Sequence, residues 1–263
     1  MATNKFNTPY KVLRRFRFLP LIMRNTKNWP KFMNNYAFGK TDGVYRFRNG
    51  GKLKLFAGFD HVPVIEVIMK KDYGKIPDNA LILDIGASTG VFTVYASATS
   101  TPISIFAFEP SADYFATLQE NVQLNNLGDK VKCFNMAVAG VDEVRDLTAR
   151  SRTFIYPSLL AGGEGGTSKA TQCISLQSIV ENNNIEKVDL LKMDCEGAEY
   201  EIFLHTPDAV FRKIKEIRME YHNIDNQKNV EALRNILKAK GFMETYFKPT
   251  NSIFGNIWFN QAI

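Results

Sequence analysis

The chain has 263 residues, 45% hydrophobic and 23% charged, with three widely spaced cysteines, Cys133, Cys173 and Cys195. A chain of this size buries roughly three quarters of the surface its unfolded form exposes, so it needs no disulfide or metal staple, and the cysteine spacing offers neither. The net charge of +6 is uneven: up to Lys54 there are thirteen Lys/Arg against one acid, Asp42, which leaves the remaining 209 residues at −6.

A basic leader on an acidic body points to an anionic neighbour: a membrane surface, a nucleic acid or a phosphorylated substrate. The plain alternative is a solvated basic face packed on the body. The longest uncharged run, Ile85 to Phe108, has 24 residues, but eleven are Gly, Ser, Thr or Pro, too polar for a spanning helix. The apolar run Phe16 to Met23 is broken by Arg17 and Pro20, and no small-residue cleavage site follows it. With no Asn-x-Ser/Thr sequon, the expectation is a cytoplasmic protein, with peripheral contact at the inner membrane face through the leader.

In chain order, residues 1–42 read as the leader, helical from about Pro9 to Met33, with Tyr10, Leu13, Phe16, Leu19, Trp29 and Phe32 as anchors. Residues 43–79 read as a hairpin and a helix. Two alternating runs, Val44–Phe47 and Leu53–Phe56, flank Asn49-Gly50-Gly51, and a helical pattern from Val64 to Met69 stops at Tyr73-Gly74. Residues 80–263 alternate strand and helix. The strands are Ala80–Ile85, Ile103–Phe108, Val131–Phe134, Val188–Met193, Ile214–Glu220 and Ser252–Phe259, and the helices are Gly90–Ala98, Ala112–Leu124, Gly197–His205 and Lys228–Lys240. Short apolar strands alternating with helices predict an α/β fold with a parallel sheet covered on both faces. Between Val141 and Gln172 the pattern breaks around a Gly-rich loop, Gly162–Ser168, flanked by short strand candidates.

The chemistry gathers where strands end. The first strand ends Asp84-Ile-Gly86-Ala-Ser88-Thr-Gly90 and opens a helix, at the edge where parallel sheets bind ligands. Its Asp-x-Gly-x-x-x-Gly spacing lacks the Gly-x-Gly-x-x-Gly that admits a pyrophosphate, which argues against a dehydrogenase. The second strand ends Glu109-Pro110, an acid placed to accept both hydroxyls of a ribose, or else to stabilise the next helix N-terminus. The third ends Asn135-Met136-Ala137, where a polar side chain is placed to face an adenine edge, with Asn135 and Ala137 the candidate contacts. Together they describe a nucleoside pocket without a phosphate. The fourth strand ends in three carboxylates, Asp194, Glu196 and Glu199, where like charges poise a general base near neutrality or hold a divalent cation. The fifth brings His222 beside Glu220, a further candidate base, whereas His61 and His205 carry less weight.

These motifs, above all Lys192-Met-Asp194-Cys-Glu196-Gly197-Ala-Glu199, resemble the FkbM family of S-adenosylmethionine-dependent methyltransferases from about Val44 to Phe259. The resemblance implies a class I, Rossmann-like sheet of seven strands, the last antiparallel, with Phe242–Phe247 and Ile253–Phe259 as its closing hairpin. It places Asp84, Gly86 and Gly90, with Ser88 between them, around the methionine part of S-adenosylmethionine and Glu109 at its ribose. It implies O-methylation of a hydroxyl on a sugar or related metabolite. Asp194, Glu196 and His222 are the candidate catalytic groups, with Mg²⁺ at Asp194 and Glu196 in a metal-assisted version. The competing readings are an RNA methyltransferase, suggested by the leader, and a scaffold that keeps the fold without catalysis.

Overall fold

From Ala80 onward the alternation folds as one seven-stranded sheet, fed by a leader that packs into the same core. The computed structural model describes residues 9–101, 103–148 and 168–262. The leader winds into α1 (Pro9–Arg15), a 3-10 turn (Phe16–Phe18), α2 (Leu19–Asn25) and α3 (Trp29–Phe38). Pro20 and Pro30 fall in the first turns of α2 and α3, where a missing N–H costs nothing.

The helical spacing puts Val12, Arg15, Phe18, Leu19 and Ile22 on the inner side of this run. Leu13 and Phe16, expected as anchors, therefore point outward and are 72% and 43% exposed. Anchoring falls to Ile22, Phe32, Met33 and Ala37, which share a core with Ile82, Val94 and Tyr95 of the sheet domain.

β1 (Tyr45–Arg46) and β2 (Lys52–Leu53) pair around the Asn-Gly-Gly turn. The amides of Asn125 and Asn121, one helical turn apart, bind the backbone N–H and C=O of Lys52 and of Lys54 at 2.7–2.9 Å, continuing the hairpin edge onto the body. After α4 (His61–Pro63) the pattern expected as an ordinary helix is a wider π-helical segment, Val64–Lys70, with its five apolar residues buried.

β3 (Ala80–Ile85), α5 (Val91–Thr99), β4 (Ile103–Phe108), α6 (Ala112–Leu124) and β5 (Val131–Phe134) follow as expected. Beyond them the chain makes a three-stranded sheet, of which the sequence pattern marks only short strand candidates flanking the Gly-rich loop: β6 (Ala137–Ala139), β7 (Glu143–Thr148) and β8 (Ser168–Ser175), with β8 between the other two. The Gly-rich loop expected at Gly162–Ser168 lies outside the described residues up to position 167. α7 (Leu176–Asn182), β9 (Leu190–Met193), α8 (Glu199–His205), α9 (Asp208–Phe211), β10 (Glu216–His222), α10 (Val230–Ala239), β11 (Phe242–Pro249) and β12 (Phe254–Gln261) complete the chain.

The large sheet runs β11-β12-β10-β9-β3-β4-β5, with β12 antiparallel to both its neighbours and the pairs from β10 to β5 parallel. The order reverses at β3, so a crevice opens at the carboxyl ends of β3, β4 and β9.

Candidate active site

The turn after β3 is held by its neighbours. Gly86 and Ala87 donate N–H bonds to Phe108 O at 3.0 and 2.9 Å, and Asp194 N–H donates to Ile85 O at 3.0 Å. Gly86 has φ +72°, and a Cβ there would stand 1.8 Å from the Asp194 carbonyl oxygen, so the close approach of the β3 and β9 ends requires glycine. Two non-glycine residues, Ser88 (φ +51°) and Glu196 (φ +52°), are also left-handed. Such strain persists only where the surroundings enforce it, and both residues lie on the crevice wall.

The crevice is partly open to solvent and walled largely by apolar groups. Gly86, Ser88, Glu109 and Ala137 line it with the apolar surfaces of Phe108, Pro110, Tyr114 and Val138. Asp194, Cys195 and Glu196 line it beside Gly86, with Pro63 and Val67 from the segment before the sheet. Glu109 is buried at the end of β4, where it accepts N–H bonds from Ser88 and Ser111, both at 2.8 Å. Burial raises its pKa to about 7 against those two bonds. Each oxygen still has a lone pair for a ligand hydroxyl.

Three residues expected at the cofactor stand outside the lining. Asp84 turns away from the crevice because its carboxylate is taken: Thr93 donates to it at 2.6 Å, and the ammonium of Lys192 lies 3.0 Å away. Gly90 packs under α6, where a Cβ would meet Leu118 at 2.6 Å. Asn135 faces the backbone instead of an adenine site, donating to Glu109 O and Pro110 O at 2.9 and 3.0 Å. These residues shape the wall from behind.

Lys192 is the main residue that site reasoning passed over. It lies beside Asp84 in the β3–β9 register, is buried, and also donates to Gly86 O at 2.8 Å. Burial works against its charge, but Asp84 and Asp194 outweigh that and raise its pKa. The signal was a lysine two residues before the strand-end acid, on an otherwise apolar strand.

At the ends of β9 and β10, one ligand atom each from Asp194, Glu196 and His222 lies within 4.8 Å of the others. His222 Nδ1 is 3.0 Å from Glu199 Oε1, and its Nε2 is 3.6 Å from Glu196 Oε2. Burial lowers the imidazole pKa, but Glu199, Asp194 and Glu196 together raise it to about 10. Burial and the neighbouring Asp194 raise Glu196 to about 8, and burial raises Asp194 and, far more, Glu220. The acids outnumber the cations, so near neutral pH His222 is imidazolium and a carboxyl, foremost Glu196, keeps a proton. His61 belongs elsewhere: buried against Tyr45 OH at 3.1 Å, its pKa lowered by burial to about 4, it is a packing residue.

A reversing sheet with an antiparallel β12, a glycine turn after its first strand and an acid after its second define a class I, Rossmann-like methyltransferase fold. Residues 84–243 match the family described as the methyltransferase FkbM domain, and the chain belongs to this family of S-adenosylmethionine-dependent methyltransferases. It is 24% identical to Methyltransferase 1 of Beauveria bassiana, over 68% of this chain and 78% of that one. It is 25% identical to the 31-O-demethyl-FK506 methyltransferase FkbM of Streptomyces tacrolimicus, over 55% of this chain and 66% of that one. It is also 23% identical to the AMB antimetabolite synthetase AmbE of Pseudomonas aeruginosa, where the match covers 68% of this chain but only 10% of the synthetase. Among the described residues no helix is long and apolar enough to cross a membrane.

The crevice fits S-adenosylmethionine by the chemistry of its groups. A buried carboxylate with spare lone pairs suits a ribose, apolar walls suit a purine, and the acids beside Gly86 suit a cationic sulfonium and ammonium.

Proposed function

We propose that the protein methylates a hydroxyl oxygen of a neutral, hydroxyl-rich acceptor of carbohydrate type. The observation that carries this reading is the Asp194–Glu196–His222 cluster, whose two carboxylates line the same crevice as Glu109. A hydroxyl must lose its proton as it accepts a methyl group, so it needs a base, and the acidic surroundings disfavour an anionic acceptor. The relative named for a 31-O-demethyl substrate supports an oxygen acceptor.

S-adenosylmethionine supplies a methyl group already activated on a sulfonium, so the protein's part is mainly positioning. Glu109 would hold the ribose hydroxyls. Glu196, once deprotonated, would accept the acceptor's proton, with Asp194 tuning it. His222, fixed by Glu199, would orient the acceptor oxygen and hold the charge of the ionised Glu196. Lys192 and Asp84 brace the glycine turn beneath.

A metal-assisted version rests on the same three side chains, which offer two oxygens and a nitrogen to a divalent cation such as Mg²⁺ or, given the imidazole, Mn²⁺. Turnover abolished by a chelator and restored by either ion would favour it over proton transfer to Glu196 alone.

The test is incubation of the protein with S-adenosylmethionine and a panel of neutral saccharides, reading S-adenosylhomocysteine release and the product mass. Glu196→Gln should abolish turnover while calorimetric binding of S-adenosylmethionine persists. Unchanged turnover in that variant would overturn the role of Glu196, and turnover on RNA alone would replace the acceptor class. Binding without turnover on any acceptor would favour the scaffold.

A further inference from the structure

The leader's outward side is neither a plain solvated face nor a core face. The chain keeps right-handed helical geometry from α1 through the 3-10 turn into α2. Along this run Leu13, Phe16, Arg17, Pro20, Met23 and Arg24 recur at steps of three and one, the spacing of one helical stripe, and all six are exposed. Three are large apolar side chains, with Leu13 72%, Phe16 43% and Met23 41% exposed. Arg14 is exposed beside them, and the first acid of the chain is Asp42.

Single exposed hydrophobic residues are ordinary, but three in one stripe interleaved with arginines are the pattern of a helix lying in a membrane interface. We propose that this stripe docks the protein on an anionic lipid bilayer, with Leu13, Phe16 and Met23 entering the acyl boundary and the arginines meeting lipid headgroups. A nucleic acid fits less well. Its phosphates would take the arginines, but its backbone offers no apolar medium to Leu13 and Met23.

The helix that carries the stripe is linked to the crevice through one packed segment. α2 packs on the Val64–Lys70 segment, and from there Val67, with Pro63 before it, lines the crevice wall. Docking would therefore bring the crevice near the membrane surface, where a lipid-linked saccharide acceptor would be met. Only this last step rests on the methyl-transfer reading; bilayer binding does not.

The experiment is co-sedimentation of the full chain with vesicles of phosphatidylcholine alone and of phosphatidylcholine mixed with phosphatidylglycerol. Binding should require phosphatidylglycerol and weaken with salt. Arg14→Ser with Arg24→Ser should weaken it by about fivefold per charge. Leu13→Ser with Phe16→Ser should weaken it by about tenfold or more. Both pairs are exposed, so circular dichroism and thermal melting should match the parent protein. No capture by either vesicle would overturn the proposal, as would capture indifferent to Leu13 and Phe16. Binding to duplex RNA that is lost in the arginine variants, with vesicles ignored, would assign the stripe to nucleic acid instead.

Discussion

If Glu109 holds the ribose hydroxyls as proposed, cofactor binding should depend on pH in a range where most carboxylates are silent. Its pKa of about 7 comes from burial, opposed by the N–H groups of Ser88 and Ser111. Ribose hydroxyls donate to a carboxylate, so the binding form is the ionised one, and its population falls as pH drops through about 7. Apparent affinity scales with the competent fraction, so S-adenosylmethionine should bind about tenfold more weakly at about pH 6 than at about pH 8. Glu109→Gln keeps the shape and removes the titration. Its amide group would face one of two backbone N–H donors that now sit 2.8 Å from carboxylate oxygens. That mismatch should cost about 1–3 kcal/mol of binding or stability and leave a flat pH profile. Isothermal calorimetry across this range, in two buffers of different ionisation enthalpy, reads both the affinity and the proton released. An affinity that does not change with pH in the parent protein, or the same slope in Glu109→Gln, would refute the ribose role.

Lys192→Met should destabilise the fold by about 3–5 kcal/mol in urea unfolding, because Asp84, fully buried, loses its counter-charge. Replacing Asp84 by Leu in the same chain should recover most of this, and a single-variant loss under about 1 kcal/mol would show that the pair is dispensable. Asn121→Ala should cost about 2–4 kcal/mol, since it strands Lys54 N–H, Lys54 O and Thr89 O at once; thermal melting checks this. If Glu196 is the base, the methyl-transfer rate should rise with pH and level off above about 8, where its carboxyl is ionised, and a pH-independent rate would exclude it.

The sheet was legible because its strands are short apolar runs ending at glycine, an acid or an amide: β3, β4 and β5 have the bounds that the runs give. The site was legible in part, for a reason that lies in side-chain direction. Strand-end position told which residues reach the crevice edge, and Gly86, Ser88, Glu109, Asp194 and Glu196 do line it. It could not tell which were already spoken for. Asp84 has a lysine beside it in a register that only strand pairing reveals, and Asn135 is used on backbone carbonyls. The β6–β8–β7 sheet showed only as short strand candidates beside the Gly-rich loop, for another reason. Its edge strand β7 carries charge at Glu143, Arg145 and Asp146, so no apolar alternation marks it.

The two charged features of the molecule cannot serve one ligand. The arginines lie on the outer stripe of the leader, whereas Asp194 and Glu196 line the crevice with Glu199, Glu220 and the one imidazolium grouped with them, and Lys192 is committed to Asp84. A crevice of that sign should discriminate between the cofactor and its product, because the sulfonium of S-adenosylmethionine is cationic and the thioether of S-adenosylhomocysteine is neutral. A unit charge about 6 Å from one net negative charge gains about 3 kcal/mol at an effective dielectric of about 20. The proton held by Glu196 near neutrality cancels most of this, so the preference should be small at neutral pH and grow above about pH 8. Paired calorimetric titrations of the two ligands read this ratio without any acceptor. Glu196→Gln should remove its growth with pH, and Asp194→Asn should lower it throughout. Equal affinities at both pH values would mean that the acids are neutralised in the folded protein, and the case for a neutral acceptor, which rests on the same field, would fall with it.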